Sequence, residues 1–240
     1  MNYNELDFGL SARERELSMS EAFPALMRKV YVWMTLALVI TGITAYGVAS
    51  SPGLMMAIAT NSILFWGLII AEFALVISIT AAINRLSLST ATLLFVLYSV
   101  VNGATMSFIF AVYTSTSIAS VFFITAGTFA VMAFIGYTTK TDLSSMGKIL
   151  LMALIGMIIA SLVNVFLIKS SGFDLIISYI GVLVFVGLTA YDSQKIKQML
   201  LSAPDAGEGA QKLALLGALS LYLDFINLFI YLLRIFGKRE

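Results

Sequence analysis

The chain reads as an all-α membrane protein, a bundle of seven transmembrane helices. Three observations predict this. The 240 residues are 60% hydrophobic and only 11% charged, at a mean hydropathy of +0.99. A soluble domain carries about 25% charged residues. The apolar residues fall into seven stretches of roughly 20 residues, the length needed to cross a hydrocarbon core ~30 Å thick at ~1.5 Å rise per residue. The charges gather between the stretches.

Residues 1–29 carry Glu5, Asp7, Arg13, Glu14, Arg15, Glu16 and Glu21 and read as a polar cytoplasmic tail, helical from Ser11. They lack the basic start and immediate short apolar core of a signal peptide. Spans are predicted at about 30–49, 61–83, 88–112, 118–137, 149–168, 174–193 and 213–236, together a transmembrane domain over 30–240. Ser50-Ser51-Pro52-Gly53 opens the first loop, and the Met-rich stretch after it is placed in the membrane interface. The other connections are short, the longest being Leu200 to Lys212 with Pro204, Gly207 and Gly209.

Of the 14 Lys and Arg residues, all but Lys169, Arg234, Lys238 and Arg239 fall on the side of the N-terminus if all seven stretches cross. Basic loops stay in the cytoplasm, so the N-terminus is expected there and the protein in the cell (inner or plasma) membrane. The basic C-terminus then lies on the opposite side against its own charges. A full crossing is still favoured over a re-entrant segment, because 24 residues suffice and no breaker interrupts them.

Cys and His are both absent. That removes disulfides, thiolate sites and imidazole chemistry, and with them the usual transition-metal ligands. No cofactor and no nucleic-acid partner are expected, and the chain is read as a monomer in the bilayer.

The last stretch, LALLGALSLYLDFINLFIYLLRIF, carries the main anomaly. Asp224 sits at its middle, where a carboxylate costs about 2.5–3.5 kcal/mol even on insertion scales. Gly217, Ser220, Asp224, Asn227, Tyr231 and Arg234 recur every three or four residues and share one helical face. That seam is expected to face the bundle interior, with lipid-facing residues elsewhere. Two more carboxylates lie in spans, Glu72 and Asp192. Buried ionisable groups in membranes mark functional sites and need a named partner. Asp192 near the end of span six and Asp224 in span seven can meet in the cytoplasmic half. Two facing carboxylates in a poorly solvated site cannot both ionise cheaply, so such a pair titrates as a unit. Its hard oxygens suit Ca²⁺. Arg85 is the nearest candidate counter-charge, able to latch onto Asp192 until protons or Ca²⁺ compete. Asn102, Asn164 and Asn227, with Glu72, are candidates to line a pathway. The hydroxyls (Ser99, Thr105, Ser107, Thr125, Thr128, Ser161) and the glycines (Gly103, Gly127, Gly156, Gly181, Gly187) read as helix-packing residues.

The segment GLTAYDSQKIK (187–197), the run ALSLYLDFINLFIYLLRIFG (218–237) and the first span RKVYVWMTLALVITGITAYG (28–47) together resemble the transmembrane Bax inhibitor motif family in its bacterial form. The resemblance implies a seven-helix bundle with the C-terminal helix central, surrounded by the other six. It implies a pH-sensitive calcium leak channel with no enzymatic activity. Asp192 and Asp224 match its pH sensor and gate, Arg85 the latch, and Glu72 an acidic position of the second helix. Calcium and protons are then the species handled. Some bacterial relatives modulate a membrane protease, so a regulatory membrane protein acting on a protease or cell-death partner is the alternative. An intramembrane aspartyl protease fits less well: Leu221-Tyr222-Leu223 precedes Asp224 where Gly-x-Gly is required, and no Pro-Ala-Leu motif is present.

Overall fold

The computed structural model describes the backbone of residues 3–239 and the side chains of residue 19 and residues 21–239. Its helices are α1 (Tyr3–Ala49), α2 (Pro52–Thr60), α3 (Ser62–Ala82), α4 (Leu88–Met106), α5 (Ile109–Val112), α6 (Ser115–Thr138), α7 (Ser144–Val163), α8 (Ser171–Leu201) and α9 (Glu208–Phe236). Among the described residues, seven helical segments are long and apolar enough to span a membrane, and the protein is a helical membrane bundle. α2 is the short helix of the first loop. α4 and α5 together make one span, broken at Ser107–Phe108, and α7 ends in a π-helical turn at Asn164–Ile168.

Short polar loops start several helices. Asn61 accepts from the Ile63 and Leu64 amides at 3.0 and 3.1 Å, Ser87 from Thr90 at 3.1 Å, and Ser170 from Phe173 at 3.3 Å. Each cap satisfies amides that a helix N-terminus leaves without partners.

The first helix differs from the expected tail. It runs unbroken from Tyr3, and Met19, Phe23, Leu26, Met27, Val30 and Met34 are all buried. Their spacing of three and four makes one continuous stripe, which Arg28 and Lys29 on the other faces do not interrupt. The bundle therefore begins well before the hydropathy rises. Glu5, Asp7, Arg13, Glu14, Arg15 and Glu16 of the expected tail lie outside the described side chains.

α9 packs against α8, α1, α6 and α4. Two-thirds (67%) of its most apolar window is buried, against 6% for α3 and 11% for α7. Four neighbours rather than six enclose it: α3 leans on α4, and α7 on α8. The expectation of lipid-facing residues around its polar seam is also corrected. Leu221, Tyr222, Phe225, Leu228, Phe229 and Leu233 are each at most 5% exposed and fill the core. Lipid-facing residues lie instead on the outer helices, such as Ile43, Ile63, Phe73, Phe123 and Leu183.

The end of α9 is tied to the far end of the bundle. Beyond Gly237, the Thr114 amide donates to the Lys238 carbonyl (3.1 Å) and the Lys238 amide to Ser117 Oγ (2.9 Å). The C-terminus thus docks on the α5–α6 loop, at the face opposite Arg28, Arg85, Lys140 and Lys212. The helix runs uninterrupted from Glu208 to Phe236 and does not turn back.

The glycines divide by geometry. A Cβ on Gly103 would meet the Thr41 carbonyl at 2.7 Å, and one on Gly181 would meet the Tyr231 ring at 2.7 Å. Gly187 likewise meets Leu150 at 2.7 Å, so these three let helices approach closely. Gly127 and Gly156 have nothing within 4 Å and hold no helices together. The tightest helical position is Gly136 on α6, whose added Cβ would collide with the backbone of Ala190 on α8.

Candidate functional site

α9 positions the central group. Asp224 is 5% exposed, and its Oδ2 has no hydrogen-bond partner. A polar atom left unpaired in a core costs about 1–3 kcal/mol. Folding tolerates it because the surrounding apolar side chains of α9 supply the burial. Asp192 lies on α8, the helix that packs most extensively on α9. The two aspartates thus sit on adjoining helices, Asp224 buried and Asp192 half-buried.

α8 holds Asp192 in place through its neighbours. Ser193, fully buried, donates to the Ala133 carbonyl at 2.8 Å. Gln194 Nε2 donates to the Thr141 carbonyl (2.8 Å), and its Oε1 accepts the Leu143 amide (2.9 Å). Lys197 donates to the Tyr137 carbonyl at 2.9 Å and sits 4.9 Å over that ring. The α6–α7 loop is therefore strapped to α8 directly beside the pair.

Arg85 does not join it. The residue is exposed in the turn between α3 and α4, and among the described residues the one ion pair is Lys212 with Glu208 at 3.0 Å. Lys195, exposed, lies about one turn beyond Asp192 on the same helix. The cause is topological: α3 packs on α4 and does not reach α8.

A second polar cluster forms on another side of α9. Tyr222, 0% exposed, donates to Asn102 Oδ1 at 2.9 Å and shares a hydrogen with Thr41 Oγ1 at 2.6 Å. Thr41 also donates to the Ser99 carbonyl (3.0 Å). Thr105 donates to Glu72 Oε1 with Asn102 beside it. Glu72 and Asn102 thus belong to one network tying α1, α3, α4 and α9. Tyr222 and Asp224 are two residues apart, about 200° around a helix, so the two clusters face nearly opposite ways. Tyr222 and Thr41 carry no mark in the sequence as a site; their one signal is that each is a polar member of an otherwise apolar buried stripe.

The other candidates are separate. Asn164 ties off the end of α7: its Nδ2 donates to Ser170 O and Asp174 Oδ1, both at 3.1 Å, and its Oδ1 accepts the Ser170 amide at 3.0 Å. This brace encloses Lys169, held at φ 53°. Asn227 donates back to Leu223 O of its own helix at 2.8 Å. Among the described residues no group of three or more Asp, Glu, His or Cys could hold a metal. Two carboxylates fall short of the six to eight oxygens a resident Ca²⁺ takes.

The matches to known proteins cover almost the whole bundle. The family described as "Inhibitor of apoptosis-promoting Bax1" matches residues 24–240. The "Inner membrane protein YbhL" of Escherichia coli (strain K12) is 53% identical over 216 residues, covering 89% of this chain and 92% of the relative. An "Uncharacterized protein" of Borreliella burgdorferi is 46% identical over 231 residues, covering 96% and 98%. One from Rickettsia prowazekii is 42% identical over 234 residues, covering 96% and 97%. With identity of this order over nearly all seven spans, both aspartate-bearing helices included, the chain belongs to the Bax inhibitor motif family of multi-pass membrane proteins.

Proposed function

We propose that the protein is a pH-dependent calcium leak conduit of the inner membrane, with the N-terminus cytoplasmic and the Asp192/Asp224 pair as its gate. One observation supports the reading: Asp224 is buried with a carboxylate oxygen that has no partner, on a helix packed against the one that bears Asp192. With one proton between them the pair is a compact, singly charged unit. Removing that proton leaves two like charges in a poorly solvated site, which separate, draw in water or recruit a divalent cation. Proton and Ca²⁺ thus compete for the same oxygens. Lys195 moderates the charge of Asp192 from the basic end. Arg85, exposed and unpaired with Asp192 here, would enter only after a rearrangement of α3.

The test is Ca²⁺ flux into dye-loaded liposomes across a pH series. Asp192→Asn and Asp224→Asn should each flatten the pH dependence. A variant that keeps the parent's profile removes that residue from the gate.

A second reading follows from the family's being described as an inhibitor of another protein. On this reading the bundle binds and modulates a partner, such as a membrane protease, without carrying ions. Absence of flux from folded, reconstituted protein, together with affinity capture of a protease complex, would favour it.

A further inference from the structure

One cavity lies away from both polar clusters. It is a groove of about 710 Å³ between α1 and α6, floored by Phe225 of α9. Both helices pack on α9 yet scarcely touch each other, and the gap between them forms the groove. Its size falls within the ~300–1,000 Å³ of ordinary small-ligand sites. Leu38, Ala126 and Ala130 represent its lining, which is apolar along the length of the spans. Phe122 and Phe129 stand against Phe225 at 5.4 and 5.5 Å and make one wall rigid.

The mouth is different. Arg28, exposed and without an ion pair among the described residues, lines the basic end together with Tyr31 and Tyr137. Lys197 lies directly behind the Tyr137 ring. An apolar slot between two spanning helices, capped at the basic end by a guanidinium and phenols, has the chemistry of one ligand class. Basic pockets between membrane helices bind anionic lipid headgroups, and guanidinium pairs with phosphate in a two-pronged geometry.

We propose that this groove is a binding site for an anionic phospholipid, with one acyl chain between α1 and α6 and the phosphate on Arg28. A neutral helix of a partner protein would leave Arg28 unmatched, so the charge at the mouth selects the lipid. The site is independent of the aspartate pair, though its floor residue, Phe225, adjoins Asp224 in the chain.

Native mass spectrometry of the detergent-solubilised protein tests this, with phosphatidylglycerol and phosphatidylcholine of identical acyl chains added in turn. The parent should retain one phosphatidylglycerol in preference to phosphatidylcholine. Arg28→Gln should reduce that preference about tenfold, the scale of one lost charge-assisted contact. Ala130→Trp should displace both lipids, because Ala130 is exposed at the groove and the larger ring enters the cavity rather than a packed neighbour. Ala126→Leu provides a milder filling variant, and the melting temperature of each reports folding. Equal retention of the two lipids by the parent overturns the proposal. So does an unchanged preference in Arg28→Gln. Filling variants that keep the lipid but lose a co-purifying protein would assign the groove to a partner helix instead.

Discussion

Tyr222→Phe isolates the network at the second face of α9. The change deletes one oxygen and fills no new space. Thr41 and Tyr222 together own two hydroxyl protons for three close contacts, so only two are donated at a time: Ser99 O at 3.0 Å, the Thr41–Tyr222 contact at 2.6 Å and Asn102 Oδ1 at 2.9 Å. After substitution Thr41 keeps Ser99, so nothing is orphaned on α1. Asn102 Oδ1 loses its donor at a site 8% exposed. One net hydrogen bond is worth about 0.5–1.5 kcal/mol, and an unpaired acceptor adds to it. Membrane cycles average only ~0.6 kcal/mol with a maximum near ~1.7. The expected loss is therefore about 1–2 kcal/mol. Reversible unfolding by SDS in mixed micelles measures it, monitored by tryptophan fluorescence or helix signal. A double-mutant cycle with Thr41→Val should return an interaction of about 0.5–1 kcal/mol. A single-mutant loss under about 0.3 kcal/mol, within the ordinary error of additivity, refutes the network as a structural tie.

The remaining predictions cover other parts of the molecule. Gly136→Ala should destabilise by about 1–3 kcal/mol through the Ala190 backbone, while Gly127→Ala on the same helix should be neutral or gain about 0.5–1 kcal/mol. Equal effects in the same unfolding assay would contradict the helix rotation described. Asp224→Asn keeps the side-chain shape and removes a group able to carry charge, so it should melt no lower than the parent while altering the flux profile; a marked drop in melting temperature would make Asp224 a structural brace. Gln194→Ala should raise hydrogen exchange at Thr139–Leu143, where it now holds the loop through two bonds. Outside the spans, Asp142 has its carboxyl held below the usual range by Ser144, first through the hydroxyl and then through the amide at 2.9 Å. A depressed carboxyl stabilises fully above its unfolded value and loses that contribution as pH falls through its folded one. Exchange protection at the start of α7 should therefore fall in acid, and Asp142→Ala should remove that dependence.

The spans are legible because a bilayer demands about 20 apolar residues in a row, and nothing else in the chain competes with that signal. The aspartate pair is legible for the opposite reason, since a carboxylate at that depth has no inexpensive explanation. What the pattern hides is rotation and neighbourhood. In lipid the inner and outer faces of a helix are both apolar, so Phe225 in the core and Phe123 facing out look alike. Gly127 and Gly136 are equally glycine, and only the setting of α6 against α8 separates them. The same blindness places Arg85 near Asp192 in the sequence argument, when the packing order of α3 puts it elsewhere. The buried stripe from Met19 to Val30 was readable in its spacing and obscured by the charges beside it.

Helix α9 is held at both ends. At the basic end Glu208 accepts the Leu88 amide at 2.9 Å and the Lys212 ammonium at 3.0 Å, and Lys29 donates to Gln211 at 3.1 Å. At the other, Lys238 is stitched to the α5–α6 loop on both of its backbone groups. A rod fixed at each tip can roll about its axis but cannot slide like a piston. Any relative movement of the helices would then leave α9 as the stationary axle. A bolt through its already anchored ends would add no constraint that the fold does not already supply.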